Sequence, residues 1–282
     1  MYARPSDLDH ALGLLAGGDA RVIAGATDIF PSAGERPLDG AYVDVSNVSG
    51  LRGARFEGNA VRIGASTTWS QIAMTDLPPA FDALKVAARD IGAVQIQNRG
   101  TIAGNVCNAS PAADGVPPLL ILNAEAELAS RRGTRRVALD AFINGARSTV
   151  LAADEVMTAI VTTLPSPTMR SAFFKLGARR YLVISIVIVA VALDVVEGIV
   201  RDARIAVGAC SPVAFRIWKA ERRLIGAPAR LGLGRSIEAE DLAVLSPIDD
   251  ARATGNYRRD AALTLLRRAI DACTLGQTGG VV

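Results

Sequence analysis

The sequence predicts an α+β fold divided into two units. Helix-like and strand-like patterns alternate up to about residue 168, whereas the remainder contains three strand-like segments followed by three helical ones. The stretch PSPT (165–168) separates these parts and has the composition of a linker. Half of the 282 residues are apolar, which is enough for two or three packed units with cores of their own. We therefore predict one domain over 1–168 and a second over 169–282.

The first unit begins with a helix. Ser6 and Asp9 form a weak variant of the capping box, and Leu8, Leu12 and Leu15 recur at helical spacing. Later elements follow from apolar alternation and turn residues, with Pro near the start of one helix and Gly past its end. They are strands at 22–24, 41–48 and 60–67, a helix at 78–92, an apolar segment at 119–128, a hairpin turning at 131–133 and a strand at 155–165.

The second unit is predicted as a small sheet followed by helices. Its strand-like segments lie at 171–177, 183–193 and 199–210, and its helical segments at 214–226, 236–245 and 256–274. The apolar run Tyr181–Leu193 spans 13 residues, well short of the ~20 that cross a bilayer. Its many Val and Ile residues favour a buried strand, so we expect no membrane span.

The composition excludes several classes of protein. The net charge is only +3 and the basic residues form no block, which argues against a nucleic-acid interface. Three widely spaced cysteines without a CxxC motif, and a single histidine, argue against a disulfide framework, a zinc site and a four-thiolate iron–sulfur cluster. The first ten residues lack the apolar core of a signal peptide. We expect a cytoplasmic protein that binds no metal itself.

Two short segments combine a predicted strand end with a Gly-containing turn of small residues, AGATD (24–28) and TIAGN (101–105). Small side chains let main-chain N–H groups approach an anion, and Gly permits the positive φ that aims successive N–H groups at one point. Such turns could grip a pyrophosphate from both sides, although each could equally be a tight connection without a ligand. Neither GxGxxG nor GxxxxGK[ST] occurs, so the Rossmann and P-loop modes of phosphate binding are not supported.

Polar residues around these turns could contact a cofactor. The candidate donors are Thr27, Thr101, Asn105 and Asn108, and the candidate acceptors are Asp28 and Asp114. Cys107 reads as a small buried thiol, because no histidine is available to activate it. For Lys175, a functional role and a solvated position at a strand edge are equally compatible with the sequence.

These residues carry a family resemblance that covers nearly the whole chain. AGATDIFP (24–31) resembles a flavin-binding AGGTD-type loop, and QIQNRGTIAGNVCNASPAADGVPPL (95–119) resembles the longest motif of the same family. YVDVSNVSGLRG, VRIGASTTWSQIA, FFKLGARRY and RIAVGACSPVAFR follow in the family's order. The sequence resembles the FAD-binding (medium) subunit of the molybdenum hydroxylases, the family of bacterial xanthine dehydrogenase, carbon monoxide dehydrogenase and 4-hydroxybenzoyl-CoA reductase.

The resemblance implies a p-cresol methylhydroxylase-type FAD-binding fold over 1–168, with two α/β lobes divided near residue 55. It implies a C-terminal flavoprotein domain from 169, a three-stranded antiparallel sheet with a helical bundle. It also implies that FAD is held by the first loop and the second segment, and by more distant side chains, with no catalytic side chain of the chain's own. The implied cofactor-binding residues are Ala24, Gly25, Ala26, Thr27, Asp28, Ile29, Phe30, Ile91, Thr101, Ile102, Ala103, Gly104, Asn105, Asn108, Asp114, Met157 and Lys175.

The resemblance further implies partners. A small subunit would carry two [2Fe–2S] clusters, a large one would carry the molybdopterin cofactor, and the complex would be a dimer of heterotrimers.

Three positions depart from the family: Ala26 and Ala103 stand where relatives have Gly, and Val183 stands where many relatives have an acidic residue. The alternatives are an assembly module that has lost tight FAD binding and a stand-alone flavin oxidase.

Overall fold

A computed structural model describes residues 1–179 and 182–281 of the chain, apart from the side chain of Val281. The first lobe is a three-stranded parallel sheet in the order β1-β3-β2, with two short helices. Leu12 and Leu15 of the first helix pack with Val43 in its core. The elements are β1 (Tyr2–Ala3), α1 (Leu8–Leu15), β2 (Ala20–Ile23), α2 (Ile29–Ala33) and β3 (Ala41–Asp44).

The second lobe is built on an antiparallel sheet of five strands in the order β4-β5-β10-β6-β7. A separate two-stranded ribbon, β8-β9, lies beside it. The strands are β4 (Ala54–Glu57), β5 (Ala60–Gly64), β6 (Glu125–Ser130), β7 (Gly133–Ala138), β8 (Ile143–Gly145), β9 (Ser148–Thr149) and β10 (Val156–Thr163).

Six helices accompany this sheet, and five of them follow one another in the segment that joins β5 to β6. Phe81, Leu84, Ile102 and Leu119 pack into the same core as Ile63 and are fully buried. The helices are α3 (Trp69–Met74), α4 (Asp82–Asp90), α5 (Val94–Arg99), α6 (Ile102–Asn108), α7 (Val116–Ile121) and α8 (Leu139–Phe142). The motif-rich segment 95–119 therefore forms short helices joined by tight turns.

The C-terminal part contains a sheet in the order β14-β13-β12-β11-β15. Its three long strands are antiparallel, as expected, and two short strands extend the edges, one of them parallel to β11. The elements are β11 (Met169–Leu176), β12 (Val187–Val196), β13 (Ile199–Gly208), β14 (Phe215–Arg216), α9 (Trp218–Leu224), α10 (Gly255–Thr274) and β15 (Gly279–Val281). The α+β class predicted from the sequence is confirmed.

The C-terminal sheet is buried on both faces because side chains of a strand point alternately to opposite sides. Ile188, Ala190 and Ala192 of β12 belong to the core of the second lobe, whereas Val187, Val189 and Val191 belong to the core under α10. This explains why the strand is a continuous apolar run instead of an alternating one. No helix of the described residues is long and apolar enough to cross a membrane.

Several predicted elements differ in type. TIAGN, predicted as a turn after a strand, is the start of α6 and follows α5. The predicted helix 236–245 contains no α-helix: Ser236 ends one 3₁₀ turn, Leu233–Ser236, and a second spans Ala239–Leu242. There the carboxylate of Asp241 accepts a hydrogen bond from the Glu238 amide, and the Arg267 guanidinium binds the Ile237 carbonyl. Side-chain contacts thus override the local helical pattern. Tyr181, where the longest apolar run begins, lies outside the described residues.

Candidate cofactor site

A cleft separates the two lobes. One part of it, a cavity of about 290 Å³, is lined by residues 22–29, by residues of the segment 100–108, and by Trp69, Ile91 and Ile96. A second part, of about 440 Å³, shares Ala24, Thr101 and Gly104 with the first and extends to Met157. Both volumes are in or near the range of roughly 300–1,000 Å³ that small-molecule sites occupy.

The first loop, residues 24–30, joins β2 to α2 and forms one wall of the cleft. A Cβ atom on Gly25 would lie 1.9 Å from the Arg99 carbonyl oxygen, so only glycine allows the loop to approach the second segment this closely. No main-chain amide of residues 25–29 donates a hydrogen bond to another described residue. These N–H groups are available to an anion, as the sequence predicted.

Ala26 and Ala103, the two positions where the family resemblance implies Gly, have different backbone conformations. Ala26 has a φ of 58°, in the left-handed region that favours glycine. Ala103 lies inside α6 with helical geometry, and its amide donates to the Ala65 carbonyl at 3.2 Å. The methyl group therefore strains the first loop and is compatible with the second segment.

The second segment contributes side chains more than amides. The Thr101 hydroxyl caps α6 by accepting from the Gly104 amide at 3.1 Å, and the Asn105 amide donates to the Thr101 carbonyl. The Ile102 amide donates to the Thr67 carbonyl. Four of the five amides of residues 101–105 are therefore already engaged, and the expectation that this segment holds a pyrophosphate stays a prediction. Asn105 lines the cleft, and its buried Oδ1 has no hydrogen-bond partner among the described residues.

The two walls are connected across the cleft. The Asn108 side-chain amide donates to the Asp28 carboxylate at 2.8 Å. Cys107 lines both parts of the cleft, and burial raises the pKa of its thiol to about 12, so the sulfur is neutral and unreactive. The Asp28 carboxylate in the first part of the cleft is thus held by an amide, and Asp19, Arg21 and Glu155 line the second part.

Asp114 and Lys175 form a buried ion pair close to one end of the cleft. The Lys175 ammonium lies 2.6 Å from Asp114 Oδ2, and the Ser185 hydroxyl donates to Asp114 Oδ1 at 2.6 Å. Lys175 also donates to the carbonyl of Asp90, the residue before cleft-lining Ile91. Burial raises the pKa of Asp114, while Lys175 and Ser185 act in the opposite direction. Lys175 is 2 % exposed, so a solvated edge lysine is excluded.

The structure brings most of the predicted site residues together. Those lining the cleft are Ala24, Gly25, Ala26, Thr27, Asp28, Ile29, Ile91, Thr101, Ala103, Gly104, Asn105, Asn108 and Met157. Ile102 is fully buried in the core, Phe30 is largely exposed after the loop, and Asp114 and Lys175 form the buried pair. Sequence reasoning missed Trp69 and Ile96. Trp69 follows the capping residue Thr68, a pattern that marks a helix start but carries no sign of a cleft.

The residues present fit a flavin dinucleotide. Loop amides that no described residue engages suit its pyrophosphate, and the side chains of Trp69, Ile91 and Ile96 offer apolar surface to its flat rings. Asn105 Oδ1, which is unpaired among the described residues, can accept from a hydroxyl or ring N–H. Among the described residues, no group of three or more His, Cys, Asp or Glu side chains could hold a metal ion.

Comparison with known proteins identifies the family. The family model described as "FAD binding domain in molybdopterin dehydrogenase" matches residues 1–167, and the model of the CO dehydrogenase flavoprotein C-terminal domain matches residues 172–273. The chain belongs to this family. It is 30% identical over 283 residues to the xanthine dehydrogenase FAD-binding subunit of Escherichia coli O157:H7, covering 99% of this chain and 97% of that protein.

Two further relatives support the assignment. The nicotinate dehydrogenase FAD-subunit of Eubacterium barkeri is 34% identical over 236 residues, 80% of each chain. A chain of the Cu,Mo-CO dehydrogenase in its cyanide-inactivated form superposes with a TM-score of 0.91 at 28% identity, covering 98% of this chain and 97% of that one. The chain is accordingly an oxidoreductase flavoprotein subunit of the molybdenum hydroxylase family, with the α+β fold that the family shares.

Proposed function

We propose that the chain is the electron-transfer subunit of a heterotrimeric molybdenum hydroxylase and holds FAD in the cleft between its lobes. The observation that supports this proposal most is the first loop. Its five consecutive amides, 25–29, donate to no other described residue, and Gly25 meets Arg99 and Gly100 without room for a side chain. In this arrangement the loop amides bind the pyrophosphate, and Thr101, Asn105 and Asn108 bind it or the neighbouring hydroxyls from the opposite wall. FAD, when bound, supplies a carrier that collects single electrons and delivers a pair as hydride.

The chain's own groups bind and orient the cofactor. Trp69, Ile91 and Ile96 would offer apolar surface to its rings. The buried Lys175 ammonium is paired with the Asp114 carboxylate at 2.6 Å and donates to the carbonyl of Asp90, next to cleft-lining Ile91, so the pair would offer a bound cofactor a fixed dipole without net charge. We propose no catalytic side chain, and the Cys107 thiol that lines the cleft is neutral.

The partners follow from the family. We infer a small subunit with two [2Fe–2S] clusters as the electron donor and a large subunit with the molybdopterin cofactor, assembled as a dimer of heterotrimers in the cytoplasm. The chain passes electrons to NAD⁺, a quinone or O₂ while the molybdenum site hydroxylates a purine, N-heteroaromatic or aldehyde-type substrate. The range of relatives, from xanthine to nicotinate dehydrogenase subunits, supports this substrate class.

The test is the visible absorption spectrum of the purified full chain after incubation with FAD and desalting. We expect flavin bands near ~450 and ~370 nm. Absence of both bands, also after co-expression with the two partner subunits, would contradict the proposal. Oxidation of an organic substrate by the isolated chain would instead identify a stand-alone flavin oxidase.

A second candidate, an assembly module without tight FAD, has one observation in its favour. Ala26 occupies a left-handed conformation in the middle of the first loop, where a methyl group is strained. This candidate predicts a complex that assembles and turns over only when FAD is supplied in excess. Retention of one FAD per chain through gel filtration would exclude it.

A further inference from the structure

The segment after α10 forms a strand beside the buried Lys175, outside the range that the C-terminal family model matches. That model ends at residue 273, whereas β15 begins at Gly279 and pairs in parallel with β11. In the pairing register, Phe173 is opposite Gly279 and Lys175 is opposite Val281. The Phe173 amide donates to the Thr278 carbonyl at 2.9 Å. The strand that carries Lys175 is therefore flanked by β12 on one side and by β15 on the other.

The connection from α10 to β15 is short and well defined. The Gln277 amide donates to the Ala272 carbonyl and the Gly276 amide to the Cys273 carbonyl, with Gly276 left-handed at a φ of 71°. This is the hydrogen-bond pattern of a Schellman motif, which ends a helix in a fixed direction. Because α10 packs on β11 and β12, its end delivers the chain to the edge of β11 in a set register.

Gly279 shows how closely β15 fits. A Cβ atom there would lie 2.1 Å from the Phe173 carbonyl oxygen and 2.8 Å from Cε2 of Phe174, and the residue has a φ of 88°. β15 also packs against α4, whose last residue, Asp90, accepts a hydrogen bond from the Lys175 ammonium. The strand thus contacts both elements that fix the position of Lys175.

We propose that β15 is a positioning element of the cofactor site, which holds Lys175 against Asp114 and the end of α4. Without β15, one edge of β11 loses its main-chain partner at the register of Lys175, and local opening of that edge becomes easier. The ammonium would then exchange its buried contacts for water. This inference rests on the proposed function in one respect, that bound FAD would lie near Lys175.

The first test needs no cofactor, because the chain has only three lysines, Lys85, Lys175 and Lys219. Wild type, Gly279→Ala and a chain ending at Gln277 are labelled with acetic anhydride, and each lysine is followed by mass spectrometry. We expect acetylation of Lys175 to rise at least about tenfold in both variants, while Lys85 and Lys219 change by less than about twofold. Unchanged protection of Lys175 would overturn the proposal.

The matched control is Gly198→Ala. Gly198 is also left-handed, with a φ of 74°, but it lies in the β12–β13 turn with open space around it. Both substitutions therefore place an alanine in a left-handed backbone conformation, but only Gly279→Ala also creates a clash with β11. Increased labelling of Lys175 in Gly198→Ala as large as in Gly279→Ala would mean that β15 only adds general stability.

The second test uses the FAD-loaded full chain. We expect Gly279→Ala to weaken FAD binding by about tenfold relative to Gly198→Ala and to shift the flavin absorption bands. Equal affinity and equal spectra in the two variants would overturn the link to the cofactor. If wild type itself retains no FAD, the proposed function fails, and the labelling experiment still decides the role of β15.

Discussion

At the scale of single residues, Ala26 and Ala103 show that the effect of an alanine depends on the backbone conformation at its position. Both stand where the family resemblance implies Gly, but only Ala26 is left-handed, and an alanine there costs on the order of 1 kcal/mol relative to glycine. We expect Ala26→Gly to tighten FAD binding by about fivefold, because the bound loop no longer carries that strain. Titration of the apo chain with FAD, followed by flavin fluorescence, measures this.

Ala103→Gly is the matched control. It introduces glycine into α6, where the added backbone freedom costs roughly 0.5–1 kcal/mol. We expect a lower melting temperature and no gain in FAD affinity. If Ala103→Gly tightened binding and Ala26→Gly did not, the conformation of the first loop would differ from the one described.

The Lys175–Asp114 pair gives a prediction about stability and pH. Lys175→Met leaves the buried Asp114 carboxylate without its cation, which typically costs about 3–5 kcal/mol. Burial already raises the pKa of Asp114, and loss of the ammonium raises it further. A raised folded-state pKa gives stability at low pH that is lost as pH rises through it. Urea unfolding of Lys175→Met should therefore show greater stability at pH 5 than at pH 8.

The double variant Lys175→Met/Asp114→Asn provides the control. It removes both charges, so we expect it to be more stable than Lys175→Met alone and to lose the pH dependence. A pH dependence that persisted in the double variant would assign it to another group.

At the scale of elements, α6 marks the limit of what the sequence predicted. The positions of the long strands follow from apolar patterns, but TIAGN contains Gly at the third helical position and lacks the acidic partner of a capping box. Its helical form depends on non-local bonds, since the Ile102 and Ala103 amides are fixed by the carbonyls of Thr67 and Ala65. Such contacts have no signature in the local sequence, and for the same reason Trp69 could not be assigned to the cleft.

The cap of α6 provides a test at this scale. We expect Thr101→Ala to lower the free energy of unfolding by about 1 kcal/mol, since the Gly104 amide loses its acceptor. Thr254→Ala removes the equivalent cap of α10, where the hydroxyl accepts from the Tyr257 amide. Both variants should lose similar stability by urea unfolding, but only Thr101→Ala should weaken FAD binding. Equal FAD affinity of the two variants would show that Thr101 does not contribute to FAD binding.

At the scale of the whole molecule, the hydrophobic core and the predicted domain boundary do not coincide. The linker PSPT separates β10 from β11, and the boundary at 168 stays a prediction. Phe173, Ile188 and Ala206 of the C-terminal sheet nevertheless share one core with Phe81, Leu84 and Leu119 of the second lobe. The sequence marks the turn between the parts but cannot show which sheet covers the helices, because that depends on packing between distant segments.

This shared core leads to a prediction about fragments. A chain of residues 1–168 lacks the sheet that covers α4 and α7 and lacks Lys175, so large apolar side chains that are fully buried in the full chain become exposed. Exposed apolar patches of this kind favour association. We expect the fragment to bind a hydrophobic dye, to unfold without a cooperative transition and to retain no FAD. The full chain should bind little dye, unfold cooperatively and retain FAD. A monomeric fragment with a sharp thermal transition would show that the first domain folds independently, and its FAD affinity would then measure directly what Lys175 and the C-terminal sheet contribute.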